Sequence, residues 1–165
     1  MCNRMEECIR ERLQCSGHPN IRAEHRSTFE VTTESHLTRS GTCIIGVNAE
    51  IGVSGLSEAF KSALAKDTAL LRTTLRGGDH ACTIMSKGSS RMTLSHPSDL
   101  VWRRSGFVCD RTIGIYSDIP ASGIPRSLIT WLRAGNAMTV EMEIFNGPEE
   151  ETPSFQLLQE FFHSL

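Results

Sequence analysis

Residues 42–60 read TCIIGVNAEIGVSGLSEAF, and residues 110–128 read DRTIGIYSDIPASGIPRSL. Carried on without a gap, residues 42–75 fall on residues 110–143 with seven of 34 positions identical, where average residue usage would give roughly 6%. The identities pair Ile45 with Ile113, Gly46 with Gly114, Ile51 with Ile119, Ser54-Gly55 with Ser122-Gly123, Leu64 with Leu132 and Ala69 with Ala137. These are core, turn and cap residue types. Upstream, residues 13–29 fall on residues 91–107, matching His18-Pro19 to His96-Pro97 and Phe29 to Phe107. The offset changes within TTESHLTRSG, residues 32–41, a polar loop present in the first copy alone. Two copies of so long a period indicate a duplicated unit, not a solenoid.

Each copy predicts the same order of elements. A short strand (residues 12–16, and 92–95) runs into a His-Pro corner, where proline disfavours helix for its predecessor and removes a ladder donor. A second strand follows (residues 21–33, and 100–108), then a third, apolar enough to be buried on both faces, in TCIIGVNA and RTIGIYS. A helix comes next. Leu56, Phe60, Ala63 and Leu64 share one face of the first helix, and Ile124, Leu128, Trp131 and Leu132 one face of the second. Ser54 and Ser122 are the expected N-caps. A last strand closes each unit (residues 69–76, and 138–145), and HACTIMSKG adds one more strand that joins the halves. The expected fold is therefore α+β: tandem β-β-β-α-β units with pseudo-twofold symmetry, half one about residues 12–78 and half two about 91–146. A small β-barrel flanked by two helices is preferred over a single large sheet, because closure removes exposed edges. Residues 1–147 make one domain. Residues 148–165 form an acidic linker and an amphipathic helix with Phe155, Leu158, Phe161 and Phe162, suited to docking on the domain or on a second subunit.

Composition limits the function. With 165 residues, 39% hydrophobic and 22% charged, the chain is long enough for one packed core and too apolar for disorder. The formal charge of −2 provides no global field for a nucleic-acid backbone, and the short basic stretches read as solvated faces. No apolar run reaches membrane-spanning length and the charged N-terminus does not resemble a signal peptide, so a cytoplasmic protein is expected. The six cysteines form no CxxC pair and read as free thiols in a reducing compartment. Fourteen arginines against three lysines suit bidentate contacts to carboxylate or phosphate.

The segments GHPNIRAEHRSTFEVT, LTRSGTCIIGVNAE, RMTLSHPSDLVWRRS and VCDRTIGIYSDIPAS together resemble the archaeal family known as domain of unknown function 371, in order, over residues 13–145. The resemblance implies an archaeal, intracellular protein and brings no activity with it. The N-terminal extension with Cys2 and Cys8 and the tail beyond Gly147 depart from the family pattern.

Candidate chemistry lies at the matched corners. His18 and His96 offer acid–base or hydrogen-bonding nitrogens, and each can equally serve its own turn; Asn20 and Asp99 flank them. On a regular strand His25 shares an inward face with Ile21, Ala23, Ser27 and Phe29, and its counterpart is Arg103; Glu30, Asp99 and Asp110 are candidate partners for these charges. The loops AEIGVSG and SDIPASG lead to helix starts that welcome anions. Cys43 and Cys109 lie beside Asp110 and Arg111, so an activated thiol competes with simple burial. His18, His25, His96 and Asp99 have suitable donor types for a metal but no helical HxxxH spacing, so no metal site is assigned, nor any cofactor. The expected function is binding or turnover of an anionic or phosphorylated small molecule in a polar pocket between the halves. His18, His25 and Arg103 would be catalytic there, and Asn20, His96, Asp99, Asp110, Arg111, Ser54 and Ser122 would contact the ligand. The competing expectation is a non-catalytic adaptor that binds RNA or protein.

Overall fold

Alternation of apolar and polar side chains in ALLRTTLRG and AMTVEMEIFN leaves one face of each segment buried and the other wetter, as in the strands of a one-sided sheet. The computed structural model describes residues 8–146. Their elements run β1 (Ile9–Ser16), β2 (Thr28–Thr32), β3 (Ile44–Gly46), a 3-10 turn (Val53–Gly55), α1 (Glu58–Leu64), β4 (Ala69–Gly77), β5 (His80–Lys87), β6 (Asp99–Arg103), β7 (Thr112–Gly114), a second 3-10 turn (Ala121–Gly123), α2 (Arg126–Arg133) and β8 (Ala137–Asn146). The architecture is α+β. One sheet has the order β1-β8-β4-β5 and is antiparallel throughout; the other has the order β3-β2-β6-β7, with an antiparallel centre and parallel outer pairs. Helix α1 packs on β1, β4 and β8, and α2 on β3, β4 and β5.

The core lies between the sheets. Phe29 of β2 stacks on Trp102 of β6 with ring centroids 4.6 Å apart, and the Trp102 indole N–H donates to the Thr73 hydroxyl of β4 at 2.9 Å. All three residues are fully buried. Aromatic stacking supplies area, while the indole bond satisfies two polar groups that would otherwise be stranded. Strands β4 and β5 are joined by a two-residue turn in which Gly78 has φ +58°, and the Trp131 ring covers it so closely that a Cβ there would collide.

The barrel expected from the sequence is not what forms. The two sheets stay open and touch at single bridges, Ser16 with Val47 and Lys87 with Ile115. The reason is local: β3 and β7 are three residues long, and just beyond each bridge Asn48 and Tyr116 adopt left-handed backbone at φ near +50°, which interrupts the ladder, so that only single backbone bonds follow, from the Glu50 N–H to the Gln14 carbonyl and from the Asp118 N–H to the Met85 carbonyl.

Strand boundaries also differ. The expected strand over residues 21–33 shrinks to Thr28–Thr32, because Ala23 adopts φ +51° and breaks extended backbone; Leu94 at φ +52° does the same to residues 92–95, which form no strand. The additional strand expected in HACTIMSKG is β5, which pairs antiparallel with β4. Ser54 and Ser122 sit inside the 3-10 turns rather than at helix N-caps; Ser57 caps α1, accepting from the Phe60 N–H, and Pro125 precedes α2. The linker and C-terminal amphipathic segment lie outside the described residues. No helix among the described residues is long and apolar enough to cross a membrane.

Candidate functional site

Strands β2 and β6 lie side by side with Thr28 opposite Arg103, Glu30 opposite Val101 and Thr32 opposite Asp99. Successive side chains alternate between faces. Since Phe29 and Trp102 point at the other sheet, Glu30, Thr32, Asp99 and Arg103 emerge on the opposite face. There the loop before β3 brings Cys43, and the loop before β7 brings Cys109 and Arg111. Glu30 and Asp99 are nonetheless buried. Buried carboxylates require partners.

Arg111 supplies most of the pairing. Its guanidinium lies 3.2 Å from Asp99 Oδ2 and 3.8 Å from Glu30 Oε1, while its side chain remains 41% exposed. Asp99 Oδ1 accepts from the hydroxyls of Thr32 at 2.8 Å and Ser98 at 3.3 Å, and His96 Nε2 stands 3.9 Å from Oδ2. Arg103 donates to Thr112 Oγ1 at 3.0 Å and to Cys109 Sγ at 3.3 Å, and its guanidinium lies 5.0 Å from the centroid of the exposed Phe107 ring.

These contacts set unusual protonation. Burial, reinforced by the charge on Asp99, pushes Glu30 up to about 7, and Arg111 and Arg103 only partly oppose this. Cys109 goes the other way: burial raises it, but hydrogen bonds from the Thr112 hydroxyl, the Arg111 backbone and Arg103 outweigh that and bring it down to about 7. The remaining free thiols differ. Burial drives Cys15 up to about 12 and Cys82 up to about 11, and burial together with the Glu30 charge raises Cys43. Cys8, expected as a free thiol, is disulfide-bonded. One face thus carries a carboxyl group and a thiol that both exchange protons near neutrality, between two arginines.

Residues 13–145, which contain every member of this cluster, match the model of the family described as domain of unknown function (DUF371). The chain belongs to DUF371. An uncharacterised protein of Methanocaldococcus jannaschii is 32% identical over 126 residues, covering 76% of this chain and 93% of that protein. The DUF371 match thus reaches from β1 to β8 and takes in both sheets.

Within this DUF371 domain, four of the residues expected to be catalytic or to contact a ligand meet at the cluster: His96, Asp99, Arg103 and Arg111. Others serve their own turns. His18 Nδ1 accepts the Asn20 N–H at 3.0 Å, and His25 Nδ1 accepts the Ser27 N–H at 3.2 Å. Among the described residues no hydrogen bond or ion pair joins either imidazole to Arg103. His25 is not on a strand, because β2 begins three residues after it. His96 likewise stands three residues before β6, and its Nδ1 accepts the N–H groups of Ser98 and Asp99. His25, not His18, therefore occupies the place in the chain that His96 does. The Ser54 and Ser122 N–H groups, expected to receive an anion, are taken by the backbone carbonyls of His96 and His25, each at 3.0 Å. Asp110 presents its carbonyl to the N–H groups of Ser95 and His96, and the residue is exposed. Asn20 lies elsewhere, its amide donating to the Leu37 carbonyl at 2.8 Å.

Nothing in the sequence marks Thr32 or Thr112 as functional, and it marks Glu30 and Cys109 only as a charge partner and a thiol that burial alone could explain. The available signal was the period-two pattern in TFEVT and DLVWR, which sets Glu30, Asp99 and Arg103 on the face opposite Phe29, Leu100 and Trp102.

Proposed function

We propose that this chain is an enzyme acting on a small anionic molecule, with its reacting centre on the polar face of β2 and β6. Cys109 is the nucleophile. Glu30 exchanges a proton near neutral pH, Arg103 and Arg111 receive the anionic group, and Asp99, backed by Thr32 and His96, orients Arg111. The observation that carries this reading is the half-exposed Arg111 guanidinium set between Glu30 and Asp99, beside a thiol lowered to about 7. A wholly structural ion pair has no need of that thiol. The domain spans residues 1–147 in this reading and arose by tandem duplication. Supporting the duplication, the order strand, strand, strand, 3-10 turn, helix, strand occurs twice, and left-handed residues recur as Ala23 and Leu94, then Asn48 and Tyr116.

The test is alkylation of the intact chain by iodoacetamide across pH 5.5–9.5, with mass spectrometry locating the label. Iodoacetamide loses iodide as sulfur bonds to its methylene carbon, so the rate follows the thiolate fraction. Cys109 should label ahead of Cys15, Cys43 and Cys82 with an apparent pKa of about 7. Arg103→Gln should raise that value by roughly one unit. Labelling of Cys109 that rises only above pH 8.5, in both parent and variant, removes the nucleophile and with it the proposal.

A further inference from the structure

A second site stands apart from the cluster and shares no residue with it. A cavity of about 310 Å³ is lined by Pro19, Asn20, Arg22, Glu24, Arg39 and Arg133. Three separate pieces of chain build it. The His-Pro corner supplies Pro19 to Glu24, the loop between β2 and β3 supplies Arg39, and the last residue of α2 supplies Arg133. Backbone contacts fix these pieces together. The Gly17 N–H donates to the Asn136 carbonyl at 2.8 Å, and the corner approaches α2 so closely that a Cβ at Gly17 would overlap the Leu132 carbonyl oxygen. The Asn20 amide ties the same corner to the Arg39 loop through the Leu37 carbonyl.

The charges around this space do not balance. Arg22 is paired with Glu24 at 2.8 Å. Among the described residues no carboxylate forms an ion pair with Arg39 or Arg133. Two surplus guanidinium groups therefore share one concave space whose only apolar lining residue is Pro19. Guanidinium forks match the oxygen spacing of phosphate and carboxylate, and phosphate carries the larger charge, which suits two surplus cations. A flat aromatic ligand would find no ring to stack on in that lining.

We infer that this cavity binds a phosphate group, either free phosphate or diphosphate or the phosphoryl end of a small metabolite. Arg39 and Arg133 clamp its oxygens and Asn20 borders it. The inference does not rest on the chemistry proposed for Cys109.

Inorganic pyrophosphate titrated into the full chain at fixed ionic strength, followed by thermal unfolding, tests it. The parent should gain several degrees at millimolar pyrophosphate, as expected when a ligand binds the folded state alone. The gain should vanish in Arg39→Gln/Arg133→Gln and persist in Arg104→Gln, which removes an exposed arginine outside the cavity. Should the double variant fail to fold, Arg39→Ala alone must lower the gain at least threefold in apparent affinity. A parallel titration with a single-stranded oligonucleotide separates a small phosphate from a nucleic-acid backbone. No shift of the parent overturns the inference, as does equal loss in Arg104→Gln. Oligonucleotide binding that depends on Arg39 and Arg133 while pyrophosphate is silent overturns the small-ligand assignment.

Discussion

Glu30 is the residue at which sequence and environment disagree most. Expected as a partner for a buried cation, it is buried beside a second carboxylate, Asp99, and holds its proton up to about pH 7. The consequence for stability has a definite sign. Between the ordinary value of 4.5 and about 7 the folded chain keeps a proton that the unfolded chain has released, so stability falls as pH rises through this window and levels off above it. Glu30→Gln should flatten that slope and be more stable than the parent at pH 8 by on the order of 2 kcal/mol. Urea unfolding at pH 4.5 and pH 8 reads the difference; a parent whose stability rises across the same interval refutes the assignment. The residue types at the cluster were legible in advance for His96, Asp99, Arg103 and Arg111. Their company was not, since nothing in the order of residues says that the alternate face of β2 will meet the loop before β7.

At the level of elements, the helices were the easiest to read and their ends the hardest. The apolar positions Phe60 and Leu64, and Leu128 and Leu132, are buried as their spacing requires. The start of α1 moved from Ser54 to Ser57 because the chain first makes a 3-10 turn, held by the Ser54 N–H bond to His96. Ser57→Ala should cost about 1 kcal/mol through loss of its bond to the Phe60 N–H. Ser54→Ala should be close to neutral, because its role is carried by backbone. Denaturant midpoints with an unchanged m-value would report both, and a larger effect at Ser54 would contradict the cap assignment. The second strand was overextended for a similar reason. Period-two apolarity runs on through Ile21 and Ala23, both fully buried, but a left-handed residue at Ala23 makes their burial the work of an irregular loop.

For the whole molecule, the Phe29–Trp102 stack lies within one sheet, and the Trp102 indole bond to Thr73 ties that sheet to the other. Trp102→Phe should destabilise by about 2 kcal/mol, since it strands the Thr73 hydroxyl and shrinks the ring. Adding Thr73→Val should cost roughly 1 kcal/mol less than the separate effects predict, because the two groups share one bond. A double-mutant cycle that is strictly additive would show that this bond does not couple the sheets. Sequence by itself determined the α+β class, the places of the two helices and the family, because periodicity, turn residues and matched motifs are properties of neighbours along the chain. The tertiary structure alone decided that the sheets stay open, that His18 and His25 serve their own turns, and that Glu30, Asp99, Arg111 and Cys109 converge. Those outcomes depend on left-handed backbone at a few positions and on contacts between segments up to about eighty residues apart, whose energies no local pattern records.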